Sequence, residues 1–189
     1  MVTMEPDSGR TAVLQAADKL FYTRGINAVG MDELRAAAGI SLKRMYALFP
    51  SKAEIVAQVL ERRTHIWNAG IAAEAATHQS ARDRVLSIFD FLDAWFREDN
   101  FRGCVFINAF GELGAVMPAV ADAAHRHKRE FVEYVTKLVV EAGGSQTLGL
   151  QIALLAEGAQ ATAAISELPD SAFVAKAAAA MLLDSGTHP

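Results

Sequence analysis

The 189-residue sequence predicts an all-α fold of about nine helices. Apolar residues recur at intervals of three and four in nine consecutive stretches, which is the period of a helix buried on one side. Glycine or proline separates most of these stretches, and none alternates apolar and polar residues as a half-buried strand would. With 52% hydrophobic and 21% charged residues, the composition is that of a folded globular protein.

The first four helices are predicted from the start of the chain to residue 76. Residues 1–8 are expected to form a frayed tail because they offer little to bury. Gly25 and Gly39 end the first and second helices, Ser41 caps the third, and Pro50 ends it. The predicted helices span residues 9–24, 31–38, 42–49 and 52–76.

Five more helices are predicted in the remaining residues. Breaks fall at D-N-F-R-G, at Gly114 and Pro118, and at the pair Gly143 and Gly144. The helices span residues 81–98, 104–113, 119–142 and 145–166, and a ninth opens at Pro169 and Asp170 and ends near Asp184.

Residues 31–52 contain the pattern that carries the functional prediction. A short helix, a glycine turn and a second short helix follow one another, and Met45, Leu48 and Phe49 give the second short helix a buried side. Lys43 and Arg44 project from its other side. This arrangement predicts a helix-turn-helix, whose second helix enters the major groove of DNA. An ordinary helical hairpin is the alternative that the turn alone leaves open.

Residues 10 to about 60 resemble the DNA-binding domain of the tetracycline-repressor (TetR) family of transcriptional regulators. The matching segments are A-V-L-Q-A-A-D-K-L-F-Y-T-R-G, A-A-G-I-S, M-Y-A-L-F and P-S-K-A-E-I-V. The resemblance implies a helix-turn-helix DNA-binding domain over residues 9–53 and a helical effector-binding and dimerisation domain over residues 54–186.

DNA contacts are expected from the third helix and its flanks. Base readout is assigned to Leu42, Lys43 and Arg44, because the fork of an arginine pairs bidentately with guanine. Tyr46 faces the groove in the resembled motif. Lys52 and the open N–H groups at the start of the fourth helix form a phosphate clamp. The expected set is completed by Ser41 and Arg35. The alternative for Lys43 and Arg44 is a solvated helix face.

The distribution of charge agrees with contact to DNA at one end. Net charge is −4, but residues 1–63 carry nine basic side chains against seven acidic ones. Residues 64–189 carry nine against fifteen. An acidic body with a mildly basic end suits a protein that meets DNA through that end.

Specific binding by such a domain needs a dimer, because one copy reads only a few base pairs and half-sites lie about 34–36 Å apart or a multiple of that. Two stripes on the last two helices are expected to form a four-helix bundle about a twofold axis. These residues are Leu148, Ile152, Leu155, Ala159 and Ala163, with Phe173, Ala177 and Met181. Packing of both helices within one subunit is the alternative.

The fourth to seventh helices hold large apolar side chains beside a few polar ones, a mixture typical of a small-molecule site. The expected ligand-binding residues are Trp67, Ile71, Phe89, Trp95, Phe96, Cys104, Asn108 and His125. The alternative is that these side chains simply fill the core.

Other chemistries are not expected. The single cysteine, Cys104, cannot form an internal disulfide. His125 and His127 are two residues apart on a helix and point to different sides, so a solvated face is favoured over a metal site. No nucleophile with its base and no phosphate-binding glycine loop is found. We expect no enzyme activity, no cofactor and no membrane span.

The sequence thus predicts a cytoplasmic, ligand-responsive regulator, a repressor that binds a palindromic operator as a homodimer and is released by a small apolar effector. The alternative is a helical small-molecule-binding or enzymatic protein with a vestigial DNA-binding domain.

Overall fold

The computed structural model describes residues 8–186, so residues 1–7 of the tail expected at residues 1–8 lie outside the described part. Within that range the chain forms nine α-helices and no strand, which confirms the predicted fold class. Every predicted helix is present, with ends within two residues of those expected. The helices are α1 (Ser8–Arg24), α2 (Met31–Ala37), α3 (Leu42–Leu48), α4 (Lys52–Ala76), α5 (Ala81–Phe96), α6 (Val105–Leu113), α7 (Pro118–Glu141), α8 (Gln146–Ile165) and α9 (Ser171–Gly186).

The described residues form two compact units. The first contains residues 8–64 and 105–124, and the second contains residues 65–104 and 125–186. Helices α4 and α7 therefore contribute residues to both units. The division of function between residues 9–53 and 54–186 stays a prediction.

In the first unit, α1, α2 and α3 pack against one another around a small apolar core. Leu34, Met45 and Phe49 are fully buried, and Val13 and Ala17 complete the contact from α1. Burial of side chains of this size stabilises the fold by about 1.5–3 kcal/mol each. This core fixes the orientation of α3, because Met45 and Phe49 hold one of its faces inside the unit.

In the second unit, α8 packs against α9, and both pack against α5. Small residues permit the close approach: Ala153, Ala156 and Ala159 are buried on α8, and Ala172 and Ala179 on α9. A methyl group at Gly149 would lie 2.6 Å from the Cα of Thr136, so α8 and α7 touch there through glycine.

Helix α8 is long and apolar enough to cross a membrane by length and composition alone, with a mean hydropathy of 1.3. Buried core helices meet the same criterion, so this is weak evidence for a span. Eight residues of α8 are buried, among them Ile152 and Ala156.

Candidate nucleic-acid interface and effector cleft

The turn between α2 and α3 is closed by hydrogen bonds of its own backbone. Gly39 has a left-handed φ of +68°, its N–H donates to the carbonyl of Ala36 at 3.2 Å, and the N–H of Ile40 donates to Arg35 at 3.0 Å. These are the two hydrogen bonds of a Schellman motif, in which glycine adopts the left-handed conformation without a steric penalty. The side chain of Ser41 then accepts a hydrogen bond from the N–H of Arg44 at 3.2 Å and begins α3.

Helix α3 turns one face to the core and the other to solvent. Met45 and Leu48 are buried, whereas Leu42, Lys43, Arg44 and Tyr46 are exposed. Phe49 has the extended backbone that a residue before proline favours, so the helix ends there. These four residues are among the seven that the sequence assigned to DNA.

Arg35 lies on α2 with its guanidinium paired to a neighbour on the same helix. Its Nε donates to Asp32 at 3.0 Å, and the side chains of Arg35 and Asp32 are 40% and 78% exposed. An exposed pair of this kind contributes about 0–1 kcal/mol, so it leaves the guanidinium available to a phosphate. Gly30 begins the helix without any side-chain cap, as its sequence implies.

Lys52 stands at the start of α4 in a partly buried position. Its Nζ lies 5.9 Å from the ring centroid of Phe21. Burial lowers the pKa of this lysine, and the charge of Glu112 opposes that shift by raising the pKa. Ser51 caps the helix by accepting a hydrogen bond from the N–H of Glu54 at 3.3 Å. The ammonium group is thus near the helix N-terminus, where the dipole also favours an anion.

Glu112 is a structural residue of this unit that the sequence did not reveal. From α6 its carboxylate accepts hydrogen bonds from the N–H groups of Ile26 at 2.9 Å and Asn27 at 2.8 Å. Gly25, with φ +86°, leaves the space, because a Cβ there would lie 3.1 Å from a Glu112 oxygen. The only sequence signal is that Glu112 is the one charged residue of α6.

A cleft of about 320 Å³ opens between α4 and α7 in the second unit. We call it the α4–α7 cleft, and its lining residues are Trp67, Asn68, Ile71, Ala72, Glu130, Phe131 and Tyr134. Trp67 and Ile71 are among the ligand-binding residues expected from the sequence.

The other six expected ligand residues do not line this cleft. Phe89 and Phe96 are core side chains, Trp95 packs on Trp67 with ring centroids 5.2 Å apart, and Cys104 is buried. Asn108 and His125 are exposed. The structure thus places Phe89 and Phe96 in the core, as the alternative describes, where their side chains hold α5 in place.

Trp67 is the centre of an aromatic cluster at the floor of the cleft. Its ring meets Phe91, His127 and Phe131 edge to face, with centroids 5.1, 5.8 and 6.0 Å away. His127 is buried, which corrects the expectation of a solvated histidine face. Burial, with a smaller effect of the Lys128 charge, lowers its pKa to about 4. Among residues 8–186 no three histidine, cysteine or acidic side chains are grouped to hold a metal ion.

The structure corrects the dimer surface that the sequence predicts on α8. Leu148, Ile152, Ala159 and Ala163 are buried inside the subunit, and Leu155 is half-buried, so these side chains do not form an exposed surface. Phe173, Ala177 and Met181 on α9 are exposed as expected. The exposed apolar side chains of α8 lie on its other side. Together they form what we call the α8–α9 surface: Leu150, Leu154, Ile165, Phe173, Val174, Ala177 and Met181.

Comparison with known proteins finds a family match for one segment of the first unit. Residues 13–59 match the family described as bacterial regulatory proteins, tetR family. The HTH-type transcriptional activator FasR of Mycolicibacterium smegmatis is 35% identical over 91 residues, which are 46% of this chain and 42% of that protein. The match therefore spans less than half of the relative's length.

Two solved structures share the fold over almost the whole chain. A TetR-family transcriptional regulator from Streptomyces coelicolor has a TM-score of 0.90 at 24% identity, with 97% of this chain and 92% of that one covered. A tetR-type transcriptional regulator from Streptomyces avermitilis has a TM-score of 0.82 at 29% identity, with 95% and 99% covered. The match at residues 13–59 places that segment in the tetR family, and the fold around it is the one that these two TetR-family regulators share.

Proposed function

We propose that the protein is a ligand-responsive regulator that binds a palindromic DNA operator as a homodimer. The observation that carries the proposal is α3, which exposes Lys43, Arg44 and Tyr46 on a helix whose opposite face is fixed in the core. A short helix held in this way can enter a major groove without rearrangement.

In this proposal, one group of side chains contacts the DNA bases and another contacts the phosphates. Arg44 and Lys43 read base edges, because their exposed positions in the first turn of α3 lead into the groove. Lys52, Tyr46 and Arg35 hold phosphates, which position the domain without reading sequence. Ser41 acts indirectly, since it fixes the start of α3 through the N–H of Arg44.

The second unit supplies the remaining two elements of the proposal. The α8–α9 surface forms the dimer interface, as its exposed apolar side chains would be buried against a second copy. The α4–α7 cleft holds the effector. Helix α4 carries both Lys52 and the cleft residues Trp67 and Ile71, so it connects the two sites along the chain. An effector acts only through its different affinities for the DNA-binding and released states.

The direction of regulation is decided by transcription in vitro. The sequence leads us to expect a repressor, whereas the relative named above is an activator in its own setting. We place the protein in the cytoplasm, where it reaches chromosomal DNA, and assign it no reaction. Transcript that falls when protein is added to its operator template supports repression, and transcript that rises supports activation.

The DNA-binding proposal is tested by selecting fragments from a random pool and then measuring their affinity by gel shift. Replacement of Arg44 by alanine should weaken binding to the selected site by about 1–3 kcal/mol, which is roughly 5- to 150-fold in affinity. It should also relax the base preference at one position. Lys43→Ala should add to this loss. Lys19→Ala is the matched control, since Lys19 is an exposed lysine on α1.

Two results would overturn the assignment. One is unchanged operator affinity for the Lys43→Ala, Arg44→Ala double variant. The other is an absence of salt-sensitive DNA binding at low ionic strength, because phosphate contacts make binding fall steeply with salt. That second result would support the alternative of a helical ligand-binding or enzymatic protein with a vestigial DNA-binding domain.

A further inference from the structure

The lining of the α4–α7 cleft has an unusual balance of charge. Three aromatic side chains, Trp67, Phe131 and Tyr134, stand beside one carboxylate, Glu130, and one amide, Asn68. None of the seven lining residues is basic. The faces of aromatic rings carry negative electrostatic potential, so both the rings and the carboxylate attract a positive charge.

The basic groups recorded near the cleft are paired or neutral. The charge of Arg84 acts on Tyr134, and the Arg84 guanidinium is paired with Glu141 at 3.5 Å. The Nζ of Lys128 is held by the carboxylate of Glu157, with Nζ–Oε distances of 2.6 and 2.9 Å. The buried imidazole of His127 is neutral at pH 7, because its pKa is lowered to about 4. Among the described residues Glu130 has no ion-pair partner, although it is only partly exposed. Its charge is therefore available to a ligand.

We propose that the α4–α7 cleft binds an organic cation, an amine or quaternary ammonium that carries a small apolar group. The cationic head lies against the rings and the Glu130 carboxylate, and the apolar group lies against Ile71 and Ala72. A cation over an aromatic face gains about 0.5–2 kcal/mol, most when water is excluded.

The cleft discriminates against the other two classes of ligand. A neutral apolar molecule would remove water from Glu130 without replacing its hydrogen bonds, which disfavours binding. An anion would place like charges close together in a partly desolvated site. The volume of about 320 Å³ sets the size of the ligand, since it is near the lower end of the range of small-molecule pockets.

The inference specifies the effector of the proposed function and replaces the purely apolar effector expected from the sequence. Direct binding tests it without DNA, by calorimetry and by the fluorescence of Trp67 and Trp95, which are the two tryptophans of the chain. The probes are trimethylphenylammonium, its neutral isostere tert-butylbenzene, and benzoate. We expect the cation to bind at least tenfold more tightly than either of the others and to change the fluorescence.

Two substitutions assign the binding to the cleft. Glu130→Gln keeps the shape and removes the charge, so it should weaken binding of the cation at least tenfold and should not weaken binding of tert-butylbenzene, since an amide costs less to desolvate than a carboxylate. Glu133→Gln is the matched control, because Glu133 is exposed on the same helix outside this cleft. Tyr134→Leu removes one aromatic ring and should lower the affinity for the cation several-fold. It is preferred to a change at Trp67, whose ring also holds the core.

The inference is overturned if tert-butylbenzene or benzoate binds as tightly as the cation, if no cation binds up to millimolar concentration, or if Glu130→Gln leaves cation affinity unchanged. Gel shifts with the selected operator separate this from the DNA proposal. A protein that binds its operator but no cation keeps the proposed DNA function and loses only this effector class. A protein that binds the cation but no DNA retains the cation site and loses the proposed regulator.

Discussion

Two arginines of the first unit have different surroundings. Arg10 donates to the carbonyl of Leu48 at 2.9 Å and lies 4.5 Å from the ring centroid of Phe49, so it stabilises the C-terminal end of α3. Arg44 is exposed on α3 itself. Sequence analysis could assign Arg44 because its neighbours in sequence fix its position. The partners of Arg10 are 38 residues away or more, so no local pattern shows them.

At the same scale, His127 should make stability depend on pH. Its folded pKa is about 4, against an ordinary value of 6.5. As the pH falls below 6.5 the unfolded chain takes up a proton that the folded protein excludes. Stability is therefore complete above 6.5 and is lost progressively towards about pH 4, by an amount on the order of 3 kcal/mol. Urea unfolding across this range measures the loss.

Replacement of His127 by glutamine should flatten that pH dependence, because glutamine does not titrate. His65→Gln provides the control, since His65 is exposed on α4 and its substitution should leave the curve of the wild type unchanged. Equal slopes for His127→Gln and the wild type between pH 6.5 and 4 would refute the assigned cause.

Helix boundaries were predictable at the scale of the element because the residues that set them are local. Gly25 and Gly39 adopt left-handed conformations, and Ser41 caps α3, as their residue types indicate. The choice of buried face was not predictable for α8, which is apolar on both sides. Leu154 is exposed and Ile152 is buried two residues away, although both are large and aliphatic. Only contact with α5 and α9 makes this choice.

The glycine turn between α2 and α3 gives a prediction for these elements. Gly39→Ala should destabilise the protein by about 1–2 kcal/mol, because an L-residue is strained at φ +68°. A methyl group there meets no atom within 4 Å, so the loss is conformational and not steric. Thermal or urea unfolding measures it.

Gly111 offers a matched control of opposite sign. It lies within α6 and an added methyl group also meets nothing within 4 Å, so Gly111→Ala should stabilise by about 0.5–1 kcal/mol. If both alanines changed stability in the same direction, the left-handed turn would not be the reason for glycine at position 39.

For the whole molecule, the predictable part of the candidate sites was the part whose residues are close together in the sequence. The α3 residues assigned to DNA lie within a few positions of one another, and the structure exposes them together. The α4–α7 cleft combines residues about 60 positions apart, from Trp67 and Ile71 to Glu130 and Tyr134. Sequence analysis named the α4 side of the cleft, but it could not select Phe131 over Phe89, since both are phenylalanines on amphipathic helices.

The last prediction concerns assembly and follows from the α8–α9 surface. Leu154 and Phe173 are 62% and 70% exposed, which is unusual for side chains of their size unless a second copy covers them. In a twofold interface each substitution acts twice. Since burial of such a side chain contributes about 1.5–3 kcal/mol and a buried carboxylate opposes association, Leu154→Glu with Phe173→Glu should weaken the dimer more than a hundredfold.

Sedimentation equilibrium should then show a dimer for the wild type and a monomer for this variant at micromolar concentration, and operator affinity should fall with the loss of the second reading domain. Val116→Glu is the control, because Val116 is 76% exposed and belongs to the first unit, whereas this surface consists of residues of the second. A double variant that remained dimeric would assign the interface elsewhere. A wild type that stayed monomeric would instead require the operator to bring the two copies together, and binding would then vary with the square of the protein concentration.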